Sequence, residues 1–168
     1  VLIGGPPCQG FSTIGNRASS IKEKRNKYDL RNNLVKIFID HLRVLKPKYF
    51  VMENVKGLIS YNKGNFIKEI MNEIKKIGIY NFDYKLMNAA DYNVPQIRYR
   101  TFIFGNSIGY KGQGFPKKVL DEKNYLTVES AISDLEGKEN SINNHVPLNH
   151  REKNLERYKY IPEGGRLP

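Results

Sequence analysis

The sequence predicts an α/β fold in which helices connect mostly parallel strands. Two observations lead to this prediction. A strand, a helix and a second strand follow one another within the first 52 residues, and a second amphipathic helix then leads to two further strands. Because strand–helix–strand units join parallel strands, the carboxyl ends of the first two strands are expected at the same edge of the sheet. A chain of 168 residues is long enough to bury a core around such a sheet.

The first strand is predicted over residues 1–4. It ends at Gly4-Gly5-Pro6-Pro7, where glycine permits a sharp turn and proline removes backbone donors. A helix is predicted over residues 34–45, because apolar residues recur there every three or four positions between Asn33 and Pro47.

The second strand is predicted over residues 49–52, with Glu53 closing it. Cys8 comes just after the first strand. Since the two strands are expected to be parallel, Cys8 and Glu53 should lie near each other at one edge of the sheet.

A second helix is predicted over residues 65–77, with isoleucines on one face and Gly78 as its stop. Residues 82–86 alternate between apolar and charged side chains, which indicates a third strand, and residues 101–105 form a fourth. Beyond residue 106 the pattern thins. A short helix near residues 128–135 is followed by a polar stretch and a terminal connector.

Charge is the first indication of function. The chain carries 28 Lys and Arg against 17 Asp and Glu, a formal net charge of +11. Such an excess favours a polyanionic partner, although a Lys- and Asn-rich composition can also reflect coding bias. Residues 17–36 hold seven basic and two acidic side chains with almost no apolar periodicity, which predicts a basic, mobile loop.

The composition excludes several classes of protein. No apolar run approaches the roughly 18 residues that a membrane-spanning helix needs. The single cysteine, Cys8, excludes an internal disulfide, and together with three scattered histidines it offers no zinc-ligand spacing, so no metal site is expected. A reducing, cytoplasmic setting is expected.

Cys8 and Glu53 are the first candidates for chemistry. A lone cysteine is more often an inert buried residue than a nucleophile. Cys8, however, stands in a Pro-Pro-Cys-Gln-Gly-Phe-Ser turn after a parallel strand, where α/β folds place their sites, and the basic loop would favour its thiolate. Glu53 can be interpreted as a surface acid, but a half-buried acid at a strand end suits proton donation.

The segment Gln96-Ile97-Arg98-Tyr99-Arg100 is the third candidate. If it is extended, Gln96, Arg98 and Arg100 lie on one side, and Ile97 and Tyr99 on the other. Arginines at strand edges are commonly only solvated. Two of them beside a glutamine are better suited to contacts with phosphate or with base oxygens.

Three segments, in this order, resemble motifs of the C5-cytosine DNA methyltransferases. They are the Gly-Gly-Pro-Pro-Cys-Gln-Gly-Phe-Ser run within residues 1–12, Glu53-Asn54-Val55, and Gln-x-Arg-x-Arg at residues 96–100. Residues 29–34 and 90–95 look like the same family, and the resemblance covers residues 1–105 well. It implies a partial Rossmann-like, S-adenosylmethionine-dependent methyltransferase fold, with an antiparallel C-terminal strand and the first strands missing.

The resemblance also implies a division of the chain and a set of partners. Residues 1–106 would belong to the catalytic domain, and residues 107–168 would extend toward a target recognition domain. The family's Gly-rich donor turn has no counterpart here, so the chain is expected to be a central fragment that is inactive alone. The intact enzyme would act as a monomer on double-stranded DNA, in a bacterial restriction-modification system.

Roles for single residues follow from the same resemblance. Cys8 would add to C6 of a flipped cytosine and Glu53 would engage N3. Arg100 would hold the cytosine O2, with Arg98 supporting the acid or the backbone. The residues expected to border S-adenosylmethionine are Pro7, Leu34 and Asn54, and those expected to contact DNA are Gln9, Ser12, Arg17 and Gln96.

The chemistry of these residue types agrees with that assignment. Cytosine C5 is a poor nucleophile, and addition of a thiolate at C6 creates an enamine that can attack a methyl sulfonium. The target base must leave the duplex to be reached, and the basic loop would close over it. Two alternatives stay open: a transfer-RNA cytosine methyltransferase of the same fold, and a catalytically inert DNA-binding relic.

Overall fold

The computed structural model describes residues 1–7, 33–109, 111, 114–138, 141–146, 148–162 and 165. Its strands are β1 (Leu2–Gly4), β2 (Tyr49–Val55), β3 (Asn81–Asn88) and β4 (Tyr99–Asn106). Its α-helices are α1 (Asn33–Leu45), α2 (Gly57–Ser60), α3 (Asn65–Ile77), α4 (Val128–Ile132) and α5 (Glu152–Tyr158). Short 3-10 turns cover Tyr61–Gly64, Ala89–Tyr92, Glu122–Asn124 and Ser133–Leu135. The chain forms two compact units, Val1–Thr127 and Val128–Pro168.

The four strands form one sheet in the order β1-β2-β4-β3. Strands β1 and β2 are parallel, with Ile3 opposite Val51, and β4 runs antiparallel to both β2 and β3. This topology confirms the predicted α/β fold with parallel strands and an antiparallel C-terminal strand. The parallel pair brings the end of β1 beside the end of β2.

The helix α1 forms because its apolar side chains recur on one face. Val35, Phe38, Ile39 and Leu42 are buried, and the helix ends shortly before Pro47. This agrees with the prediction from the periodicity of residues 34–45.

The helix α3 covers the residues predicted for it. Ile67, Ile70 and Ile74 are buried on one face, and the glycines on either side, Gly64 and Gly78, have φ angles of 82° and 80°. Other residues rarely adopt this left-handed backbone, so a glycine marks each end of the helix clearly.

The core lies between the sheet and the two long helices, α1 and α3. Phe50 and Met52 of β2 and Ile103 of β4 are buried together with apolar residues of both helices. The Phe50 ring packs edge-on against Phe38, at 6.5 Å, and against Tyr80, at 5.1 Å between ring centroids. Burial alternates along β2, so successive side chains point to opposite faces of the sheet.

Two expectations about local structure were wrong. The strand β2 continues past Met52 to Val55, so that Glu53 lies inside the strand and does not close it. Residues 96–98 are not extended strand, since the Gln96 N–H donates to the Val94 carbonyl at 2.7 Å and β4 begins only at Tyr99. The helix α5 was not predicted; it lies before residues 161–168, which were predicted as a connector.

None of the helices in the described parts of the chain is long and apolar enough to cross a membrane.

Candidate active site

An ion pair on the sheet face opposite the long helices is the centre of the candidate site. The Nε of Arg100 lies 2.9 Å from Oε1 of Glu53, and the two side chains are 25% and 41% exposed. Arg100 lies opposite Val55 in the β2–β4 register, two positions from Glu53, so the two side chains share a face as diagonal neighbours. Arg100 also donates from Nη1 to the carbonyl of Tyr99 at 2.9 Å. The pair is half-buried and reachable from solvent.

The end of β1 passes directly beside this carboxylate. A Cβ placed on Gly5 would lie 3.2 Å from Oε2 of Glu53, which is tighter than nine in ten real Cβ contacts. A larger residue at this position would require the carboxylate to move by a few tenths of an ångström. The chain that leads to the predicted nucleophile turn passes beside Glu53 at Gly5. The predicted proximity of Cys8 and Glu53 is not tested, because Cys8 lies outside the described residues.

Asn54 joins the two parallel strands from inside the protein. It is 2% exposed. Its Nδ2 donates to the carbonyl of Pro6 at 3.1 Å, and its Oδ1 accepts from the N–H of Val55 at 2.9 Å. The amide therefore fixes the backbone that leads toward residue 8. Asn54 was predicted to border S-adenosylmethionine; the contact that the structure shows is with the Pro6 carbonyl.

The arginine segment is anchored by its backbone. The N–H of Arg98 donates to Oδ1 of the buried Asn88 at 3.0 Å, and the carbonyl of Arg98 accepts from the Ala89 N–H at 3.0 Å. The side chains of Gln96 and Arg98 are exposed. The structure thus brings Arg100 to Glu53 and leaves Arg98 and Gln96 at the surface.

A buried polar network behind this segment escaped the sequence analysis. Asp91 is 4% exposed, pairs with Lys118 at 2.9 Å, and accepts a hydrogen bond from the hydroxyl of Tyr125. Asn88 donates to that hydroxyl at 3.3 Å, which links the network to the Arg98 backbone. The Ala-Asp-Tyr segment before the arginines drew attention to Asp91. Its partners Lys118 and Tyr125 lie about 30 residues further along the chain, so no local sequence pattern could reveal the network.

The network also shifts the pKa values of Asp91 and Lys118. The hydrogen bond from Tyr125, reinforced by Lys118, holds the pKa of Asp91 below its ordinary value of 3.8. The same contact with Asp91 raises the pKa of Lys118. Asp91 is therefore charged near neutrality, and a charge so deeply buried stays stable only with such partners.

The other residues predicted for the site fall into two groups. Pro7 is exposed at the end of the first described segment, and Leu34 is half-buried in the first turn of α1. Gln9, Ser12 and Arg17, like Cys8, lie outside the described residues. Among the residues that the structure describes, no group of three or more His, Cys, Asp or Glu side chains could hold a metal ion.

The fold and the resemblance of the motifs both point to the methyltransferases. The structure matches that of a prophage-encoded E. coli protein described as a DNA modification methyltransferase, with a TM-score of 0.56 and 31% identity. That match covers 77% of this chain and 33% of the other. The partial Rossmann-like fold expected for an S-adenosylmethionine-dependent methyltransferase is thereby confirmed.

The chain belongs to the C-5 cytosine-specific DNA methylase family, whose family model matches residues 1–165. It is 39% identical to the type II methyltransferase M1.HphI of Haemophilus parahaemolyticus over 98% of this chain. It is 40% identical to the type II methyltransferase M.AquIA of Picosynechococcus over 80% of this chain. The chain spans 43% of the first relative and 60% of the second.

Proposed function

We propose that the protein containing this chain transfers a methyl group from S-adenosylmethionine to C5 of a cytosine in duplex DNA. Its type II relatives suggest a role in a bacterial restriction-modification system, and hence a place in the cytoplasm, where the DNA lies. Residues 1–106 would form part of the catalytic domain, and residues 107–168 would lead toward the recognition domain.

The observation that carries this proposal is the Glu53–Arg100 pair beside the end of β1. It puts an acid and a guanidinium on one face of the sheet, within reach of the chain that enters the Pro-Pro-Cys turn. A carboxyl group can hydrogen-bond N3 of cytosine and a guanidinium can donate to O2, so together they match one edge of the base. Arg100 also keeps the carboxyl of Glu53 in place before the base arrives.

The proposed reaction proceeds by addition to the cytosine ring, methyl transfer and elimination. The Cys8 thiolate forms a bond to C6 while Glu53 stabilises the added charge through N3, which makes C5 nucleophilic. S-adenosylmethionine, when bound, would supply the electrophilic methyl group that C5 receives, with the sulfonium leaving as the neutral thioether S-adenosylhomocysteine. Loss of the C5 proton to solvent and departure of the Cys8 thiolate from C6 then restore the aromatic ring and the free enzyme.

Of the three residues proposed to border S-adenosylmethionine, Pro7 and Leu34 suit a direct contact better than Asn54 does. Pro7 and Leu34 offer apolar contacts near the ends of the strands, and both retain accessible surface. Asn54 does not have a free amide, because both its nitrogen and its oxygen are hydrogen-bonded within the protein. We therefore assign Asn54 an indirect part, through the position of Pro6. Gln9, Ser12, Arg17, Gln96 and Arg98 stay candidates for contacts with DNA.

A methyl-transfer assay with the full-length protein tests the proposal. Labelled S-adenosylmethionine is offered with unmethylated bacteriophage λ DNA, and a duplex containing 5-fluorocytosine serves to trap the covalent adduct. We expect transfer and trapping by the wild type, and neither by Cys8→Ser. Glu53→Gln should lower the rate by about 10²–10⁴-fold, which is the usual contribution of a general acid. Glu69→Gln, at an exposed acid on α3, is the matched control and should leave the rate unchanged.

Two results would contradict the proposal. Transfer to transfer RNA without transfer to DNA would favour the RNA-directed branch of the fold. Binding of DNA without any transfer or trapping would favour an inert relic.

A further inference from the structure

Lys56 stands at the same end of the sheet as the acid and its arginine. It follows Val55, the last residue of β2, and Val55 lies opposite Arg100 in the register with β4. Glu53 lies within β2, three positions before Lys56. The position of Lys56 is thus set by the strand that carries the candidate acid.

The ammonium group of Lys56 lies over an aromatic ring. Its Nζ is 5.0 Å from the centroid of the Tyr99 ring, and Tyr99 is 41% exposed. In the described ranges Lys76, Lys118 and Lys159 each pair with a carboxylate, whereas Lys56 pairs with none. A cation–π contact orients the ammonium but leaves its three N–H donors free for an anion.

The balance of charge at this edge favours an anionic ligand. Glu53 is paired with Arg100, so its negative charge is already matched. Lys56 and Arg98 are both exposed, and neither forms an ion pair with another described residue. Two positive charges without a carboxylate partner among the described residues therefore lie near the same ends of β2 and β4 as the acid–arginine pair, with Lys56 over Tyr99, which points to the face opposite Arg100.

We propose that Lys56 binds a phosphate of the DNA strand that carries the target cytosine, and that the Tyr99 ring holds its ammonium in position. The inference rests on the proposed function, because a base engaged by Glu53 and Arg100 brings its own flanking phosphates to this edge. Lysine binds phosphate as a point charge, and a preplaced ammonium loses less side-chain freedom on binding. Lys56 is thus a positioning residue for the target nucleotide. It contacts a phosphate of the DNA backbone and does not contact the base.

The salt dependence of the reaction tests this inference. The full-length protein methylates unmethylated λ DNA over a series of salt concentrations, and log(kcat/KM) for DNA is plotted against log[salt]. Each neutralised phosphate adds about 0.9 to the steepness of such a plot. We expect Lys56→Gln to flatten the slope by about 0.9 and to raise KM for DNA, with KM for S-adenosylmethionine unchanged. Lys56→Arg should keep the wild-type slope, because it keeps the charge.

Lys48 provides a matched control, since it is an exposed lysine at the other end of β2. Lys48→Gln removes the same charge and should leave the slope as it is in the wild type. Tyr99→Phe keeps the ring face and should resemble the wild type, whereas Tyr99→Ala should raise KM for DNA without flattening the slope.

A Lys56→Gln slope parallel to that of an active wild type would overturn this inference alone. Equal flattening in Lys48→Gln would also overturn it, because the effect would then reflect net charge. A wild type that transfers no methyl group to DNA would overturn the proposed function and this inference together.

Discussion

Asn54 shows how a polar residue can serve a site without facing it. Its amide is buried and joins β2 to the backbone of Pro6, two residues before Cys8. Removing the donor from this part-buried hydrogen bond costs free energy, since water replaces the bond only in part. The asparagine of the Glu-Asn-Val segment therefore holds the backbone that leads toward the proposed nucleophile, while the glutamate beside it points to the opposite face and pairs with Arg100.

Asn54→Ala should lower the free energy of unfolding by about 1–3 kcal/mol, because it leaves the Pro6 carbonyl without its donor. The measurement is urea unfolding followed by circular dichroism. Asn72→Ala makes the same change at an exposed position of α3 and should cost much less. Equal losses in the two variants would mean that the Pro6 contact contributes nothing.

Gly105 of β4 packs closely against Phe50, its partner on the neighbouring strand β2. A Cβ on Gly105 would lie 2.1 Å from the Phe50 ring, so a larger residue there must displace a fully buried aromatic side chain. Gly78 has nothing within 4 Å of its would-be Cβ, and it is needed only for its φ angle of 80°. The two glycines thus serve different ends, close approach in one case and backbone conformation in the other.

Gly105→Ala should destabilise the protein by about 1–3 kcal/mol through overpacking. Gly78→Ala should cost about 1 kcal/mol through its left-handed backbone. A double-mutant cycle with Phe50→Leu distinguishes the mechanisms in urea unfolding. The smaller side chain should offset part of the Gly105→Ala loss and leave the Gly78→Ala loss unchanged. Strict additivity in both pairs would exclude the proposed clash.

The contacts of Asp91 tie the turn after β3 to residues 118–125, and they make stability depend on pH. Its folded pKa is below the ordinary value of 3.8, chiefly because Tyr125 donates to it. The stabilisation is therefore fully present above the unfolded pKa and is lost as the pH falls through the folded pKa.

The difference in unfolding free energy between the wild type and Asp91→Asn should be largest near neutral pH and should shrink below about pH 4. Urea unfolding over a pH series measures it. Lys118→Gln should weaken this dependence, and Lys117→Gln, at the exposed neighbouring residue, should not. A difference that is constant over the pH range would refute the role given to the Asp91 charge.

The elements differ in how well the sequence predicted them. The helix α3 was predicted with its observed ends, because isoleucine periodicity and a glycine on each side agree. The strand β2 was predicted too short, because Glu53 and Asn54 look like a strand end until Arg100 and Pro6 are seen to bind them. The helix α5 was missed because it has no buried residue and hence no apolar period to detect.

The position of Glu53 in the candidate site could be predicted from the sequence, but its pairing with Arg100 could not. The parallel order of β1 and β2 follows from the strand–helix–strand pattern, and it brought Glu53 to the predicted edge. The pairing of Glu53 with Arg100 depends on the register of β4, which sequence alone does not specify. The Tyr99 platform under Lys56 depends on the same register.

Taken as a whole, the chain combines a strong positive charge with an apolar edge. Its net charge is +11. Ile3 of the edge strand β1 is 74% exposed, and Val1, just before that strand, is 81% exposed. An exposed edge strand can pair with another copy, whereas like charge keeps copies apart. Salt screens the repulsion and leaves the edge unchanged.

The 168-residue chain by itself should therefore associate more strongly at about 0.5 M salt than at about 0.05 M. Sedimentation velocity measures the association. Ile3→Lys should suppress it, whereas Ile97→Lys, which adds the same charge at a site that is 70% exposed and away from β1, should have a smaller effect. A chain that stays monomeric at both salt concentrations would contradict the expectation.

The alternation along β2 has an evolutionary consequence. Because neighbouring residues of a strand point to opposite sides, inserting or deleting one residue ahead of Glu53 would turn its carboxylate inward among the helices and its amide neighbour outward. One-residue insertions and deletions are therefore expected in the connections between elements and not within this strand.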